Sequence, residues 1–170
     1  MRSQLRQQQG VTLVELVISI VILSIAMVAV LSAFSYSASQ SADPLWRNKT
    51  LKLSQLYLDE ILSKNYDHNT PLGGVPAVSS PSCSGLGPES GETRANYNDV
   101  DDYNGLDDLP PVSLIGALDS SYSSYRVTVS VSCDGTSVSA SGNSHAKKIL
   151  LTITPPGQAA QRFAVYRGNF

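Results

Sequence analysis

From Val11 to Ser35 the chain carries 25 residues in which Glu15 is the sole charge and no proline occurs. As an α-helix at about 1.5 Å per residue this run extends roughly 37 Å, enough to cross a hydrocarbon core of about 30 Å. Its apolar residues fall on every face, so a straight helix surrounded by lipid or by other helices is expected. The preceding Met1–Gly10 is polar, with Arg2 and Arg6 as its charged side chains. Positive charge on the short flank keeps that side in the cytoplasm and sends the C-terminal part of the chain across the membrane, N-terminus in and C-terminus out. A cleavable secretory signal also begins with positive charge and an apolar stretch, and the small residues around Ser35–Ala38 resemble a cleavage site. Such apolar regions usually run about 7–15 residues, and this one is longer, with a glutamate at its leading edge.

The rest of the chain is polar by comparison. Five aspartates stand between Asp99 and Asp108, and the chain as a whole has net charge −2 and a pI near 5.6. No basic patch interleaved with aromatics is present, which argues against nucleic-acid binding. His68 and His145 are the two histidines, both in polar sequence and far apart. With no phosphate loop, no HExxH and no nucleophile elbow, no catalytic site and no enzyme activity are expected. Cys83 and Cys133 lack CxxC spacing and histidine partners, which argues against zinc and leaves a disulfide in the oxidising compartment that the topology implies. Closing a loop of about 50 residues is worth roughly 4 kcal/mol on the chain-entropy model.

The most informative segment is Gly10-Val11-Thr12-Leu13-Val14-Glu15-Leu16-Val17, a glycine junction followed by a glutamate at the edge of the apolar helix. Charge within a membrane costs about 2.5–3.5 kcal/mol at the centre and less near the edge, so it tends to mark function. The bland reading is a helix-start glutamate favoured by the dipole. The segment resembles the class III signal of type IV prepilins: a short basic leader, Gly, commonly Phe, then Thr, Leu and Glu. Valine replaces the commoner phenylalanine at position 11. The resemblance is close over Met1 to about Ser35 and looser beyond. It implies that a prepilin peptidase cuts after Gly10 and methylates the new amine of Val11. It also implies that Glu15 pairs with the N-terminal amine of a neighbouring pilin subunit during assembly, with the inner-membrane assembly platform as a further partner. Physics agrees, because cleavage creates a cation that compensates a buried anion.

Beyond the membrane segment, Ser37–Asp43 is small and polar, and Pro44 suits the first turn of a new or continued helix. From Leu45 to Lys64 an amphipathic helix is predicted, with Leu51, Leu58 and Leu62 on one stripe, widened by Leu45, Leu53, Leu56 and Ile61. Asn65–Ser120 is rich in Gly, Pro, Ser, Asn and Asp and reads as a long connection, with a short element expected near Pro111–Leu118. Alternation then returns. Tyr125, Val127, Val129, Val131 and Cys133 point one way, and Ile149–Thr154 and Arg162–Arg167 give two more strands, with turns at Asp134-Gly135 and Pro155-Pro156-Gly157.

The sequence thus predicts an α+β, type IV pilin-like chain in four parts. These are a cytoplasmic leader (1–10), a transmembrane and assembly helix (11–36), its amphipathic continuation (37–64) and a periplasmic antiparallel head (65–170). No cofactor is required. Asp99, Asp101, Asp102 and Asn104 are candidate structural calcium ligands, although Tyr103 breaks the alternating spacing of a calcium loop and no glutamate follows at its twelfth place. A solvated acidic loop is the alternative. The same Asn-Asp-Val-Asp-Asp-Tyr run resembles one in minor pilins of the mannose-sensitive haemagglutinin (MSHA) pilus system. The expected role is a minor pilin that enters or primes a pilus for surface attachment. A type II secretion pseudopilin and a membrane-anchored periplasmic binding module that never polymerises are the rival readings.

Overall fold

The computed structural model describes residues 11–71 and 74–170, with the side chains of 38–44 set aside. The leader and Gly10 lie outside the described residues. One α-helix, α1, spans Leu13–Leu62, and four strands follow: β1 (Asp107–Asp108), β2 (Arg126–Cys133), β3 (Ala146–Thr154) and β4 (Gln161–Gly168). Pro44 does not open a new helix, because α1 continues through it. The chain divides into two units at Leu45–Trp46.

In the first unit, Leu13–Ser37 is long and apolar enough to cross a membrane, and its apolar side chains are exposed throughout. Three serines inside this run are self-satisfied. Ser19, Ser24 and Ser32 donate their hydroxyls to the carbonyls of Glu15, Ile20 and Val28 at 2.7, 2.8 and 2.9 Å. Back-bonding of this kind lets a hydroxyl sit in hydrocarbon without an orphaned donor.

In the second unit the strands form one antiparallel sheet in the order β1-β2-β3-β4, the expected meander with β1 as an added short edge. The period-2 pattern holds: Val127, Val129 and Val131 face inward opposite Ile153, Leu151 and Ile149. These six and the buried face of α1 form the core with Val100, Tyr103 and Tyr125. Exchanging water for this packing is worth about 1.5–3 kcal/mol per large apolar side chain. The fold is α+β, an apolar N-terminal helix followed by a helix-on-sheet head, which is the pilin-like layout.

The helix stripe differs in phase from the expected one. Leu53, Tyr57 and Ile61, spaced four apart, are fully buried, whereas Leu51 and Leu45 are exposed and Leu58 and Leu62 half-buried. Thr50, Ser54 and Glu60 share the buried face. Thr50 and Ser54 return their hydroxyls to the carbonyls of Trp46 and Leu51, both at 2.8 Å, and so behave as small apolar residues.

The long connection is also more ordered than its composition suggests. Residues 111–118 contain no helix or strand. Single turns of 3-10 helix instead form at Arg94–Asn96, Asp101–Tyr103 and Ser120–Tyr122. Asn65 pairs with Asp99 in a parallel bridge, tying the end of α1 to the acidic run. Gly105 adopts a positive φ of 85°, a conformation that disfavours side chains, and its amide donates to Val129 O at 3.1 Å. That turn brings the chain alongside β2.

Candidate functional site

Two regions carry chemistry. The first is the helix start. Thr12 precedes α1 and its Oγ1 accepts from the Glu15 amide at 3.3 Å, one half of a capping box. Thr-x-x-Glu is readable in the sequence, and this capping role is one the signal-sequence reading passed over. Val11 is 70% exposed, and Glu15 is the acid of the first turn. The carboxylate therefore stands where the helix dipole favours negative charge, one turn from the residue that cleavage after Gly10 would convert into an amine.

The second region is the acidic connection, where the four candidate ligands take different partners. Asp101 turns to Lys147, whose Nζ bonds its Oδ1, donates to Tyr66 O at 2.7 Å and lies 3.8 Å from Asp67. Lys147 is 0% exposed. Asn104 is consumed in backbone bonding, accepting from Val131 N at 2.9 Å and donating to Leu86 O at 3.0 Å. It continues the sheet edge with its side chain. Asp101 Oδ1 and the Asn104 side chain are therefore already engaged.

Asp99 and Asp102 remain together and are joined by Glu89, each residue bringing one carboxylate oxygen within 4.8 Å of the others. Asp102 Oδ2 accepts from the amides of Asn98 and Asp99 at 2.8 and 3.1 Å. Asp99 Oδ1 accepts from Asp101 N and Asp102 N. Burial first, then Asp101 and Asp102, push the Asp99 carboxyl far above the carboxylate range. Burial, Glu92 and Asp102 raise that of Glu89.

A further buried cluster holds the connection to α1. Arg94 forms a two-pronged pair with Glu60, Nε to Oε1 and Nη2 to Oε2, both at 3.1 Å, and a close ion pair with Asp108. Tyr103 donates to Glu60 at 2.9 Å, and Tyr57 donates to Asp108 at 2.6 Å while accepting from Val112 N at 2.9 Å. Glu60, Arg94, Lys147 and Glu89 were missed in the sequence. Two signals were present: Glu60 follows Tyr57 by three on the buried helix face, and Lys147 precedes Ile149 by two on the core face of β3.

Cys83 and Cys133 are joined, with their Cα atoms 5.8 Å apart. The bond anchors the exposed 82–85 segment to the end of β2, and β3 and β4 both lie outside the loop that it closes. Replacing both cysteines by serine is expected to cost about 2–4 kcal/mol. A thermal melt of the full chain in detergent checks this, and a melting temperature equal to wild type would assign the bond no structural role.

Residues 5–31 match the family model described as the prokaryotic N-terminal methylation motif. No curated protein and no solved structure matches the chain. The motif supports a type IV prepilin-like protein, or pseudopilin, and implies a structural subunit processed by a prepilin peptidase and assembled with other pilins. Together with the one helix of membrane length among the described residues, it fits a membrane-anchored pilin.

Proposed function

We propose that this chain is a minor pilin of the MSHA type, assembled into a pilus or priming one for surface attachment. In this reading residues 1–10 are removed as a cytoplasmic leader after Gly10, and Val11 is N-methylated. Residues 11–36 anchor the subunit in the inner membrane and pack against sibling pilins, 37–64 continue the helix, and 65–170 form the periplasmic head. Glu15 compensates the new amine of a neighbouring subunit on the assembly platform. The observation that carries the reading is the methylation motif at 5–31 followed by an apolar helix of membrane length. The choice of MSHA-type minor pilin rests on the Asn98-to-Tyr103 run, which resembles minor pilins of that system, especially its D component. A type II secretion pseudopilin shares the motif and the helix. Deleting the gene separates the two, since loss of surface fibres supports a pilus subunit and blocked enzyme secretion supports a pseudopilin.

The primary test is intact mass with N-terminal peptide sequencing of the membrane-fraction protein. The expected chain starts at N-methylated Val11. A chain starting near Ser39, or retaining Met1, would overturn prepilin processing.

A further inference from the structure

We infer that Glu89, Asp99 and Asp102 form a site for one divalent cation of calcium's class in the head, distinct from the sequence-based set that included Asp101 and Asn104. Three carboxylates within 4.8 Å are not in themselves a site. The pointer to a ligand is Asp102, which is 1% exposed and keeps Oδ1 buried with no hydrogen-bond partner, while Oδ2 takes two backbone amides. A buried carboxylate oxygen without a donor carries the full cost of desolvation unless a cation or a proton meets it.

The surroundings decide between these. Lys147, the buried ammonium nearby, spends its hydrogen bonds on Asp101 and Tyr66 O and pairs with Asp67, so it reaches Asp99 by charge alone and gives the triad no donor. Glu89 also belongs to a second cluster with His68 and Glu92. There, however, the Asn98 side-chain amide meets His68 Nδ1 at 3.1 Å and donates to Glu92 at 2.8 Å, so both acceptors already have a partner. The site left is made of oxygen alone, which suits calcium and magnesium and disfavours zinc. Calcium–oxygen distances of 2.3–2.6 Å let two ligand oxygens stand up to about 5 Å apart, and one oxygen of each carboxylate lies within 4.8 Å of the others. Asp99 is likewise 1% exposed, whereas Glu89 is exposed and closes the triad from the solvent side. A cleft of about 160 Å³ lined by Ser84, Gly85, Glu89, Asp99 and Asp101 opens on the Glu89 and Asp99 side of the triad, with Asp102 behind it, and gives an ion's waters space. The disulfide at Cys83 holds that wall in place. This site does not depend on the pilus reading.

The test is isothermal titration of the full chain in detergent, stripped with EGTA and dialysed, against CaCl2, MgCl2 and ZnCl2, with thermal melts in parallel. One calcium ion per chain is expected, with a dissociation constant at or below the about 0.1–1 mM of extracellular calcium modules. Glu89→Gln, at an exposed position that leaves the core intact, should weaken binding at least tenfold. Asp102→Asn should abolish binding and the calcium-dependent rise in melting temperature, its fold checked by circular dichroism. Absence of saturable binding up to about 10 mM CaCl2 would overturn the proposal in favour of a proton shared between Glu89 and Asp102. So would calcium affinity unchanged in Glu89→Gln, or uptake of zinc alone.

Discussion

A Glu15→Val chain is expected to reach the membrane, lose its leader after Gly10 and yet be absent from sheared filaments. The apolar run Leu16–Ser35 is unchanged by the substitution, so insertion and anchoring should persist and even strengthen slightly. Assembly is different. On the proposed reading, each incoming subunit brings a Val11 amine into an apolar helix bundle where the Glu15 carboxylate of a neighbour compensates it. Without the carboxylate the amine enters unpaired, and breaking one half of a buried pair costs about 3–5 kcal/mol. That corresponds to roughly a hundredfold to several thousandfold less incorporation, since about 1.4 kcal/mol is tenfold. Immunoblots of the sheared and membrane fractions read the ratio directly. Equal filament content in wild type and variant would reject the pairing role, and absence of both from sheared filaments would favour an anchored module that does not polymerise. Glu15→Asp, which keeps the charge on a shorter arm, should recover part of the loss.

Lys147→Met should be the most damaging single change in the head. Methionine nearly fills the volume but removes the ammonium at a position that is 0% exposed, leaving Asp101 and Asp67 facing one another without a cation. The expected cost is about 3–5 kcal/mol. For a unit the size of 46–170 this lowers the melting temperature by roughly 10–20 °C. The paired variant Lys147→Met with Asp101→Asn should regain part of the difference, because it removes one of the stranded charges along with the amine. A melt of the full chain in detergent, followed by near-ultraviolet circular dichroism, measures both. A single variant within about 2 °C of wild type would mean that the buried pair contributes little beyond the apolar packing around it.

Sequence reasoning could read whatever repeats with a short period. The apolar run, the helix and the strands β2, β3 and β4 all emerge from neighbours one to four residues apart, and the Cys83–Cys133 pairing comes from there being two cysteines in an exported head. The connection resisted because its order depends on distant partners. Arg94 finds Glu60 across 34 positions, and Lys147 finds Asp101 across 46. A window that sees only local composition reads Asp101 as one more solvated acid, and as a plausible cation ligand. The helix stripe came out of phase for a related reason. Thr50 and Ser54 look polar in a pattern count, but each spends its hydroxyl on its own helix and packs with its methyl or methylene. Asn104 was legible as an oxygen donor but not as an extension of the sheet edge, a role that requires knowing β2 lies beside it.

The serines of the apolar helix have a consequence for how such a helix changes surroundings. Ser19, Ser24 and Ser32 ask nothing of whatever lies outside the helix, because their donors are already closed onto Glu15 O, Ile20 O and Val28 O. Exchanging acyl chains for the side of another helix then breaks no hydrogen bond, and returning breaks none either. The difference between the two environments is left to shape and to the charge at the first turn. On the proposed reading, passage from bilayer to bundle becomes a reversible swap of contacts, with direction supplied by a single ion pair.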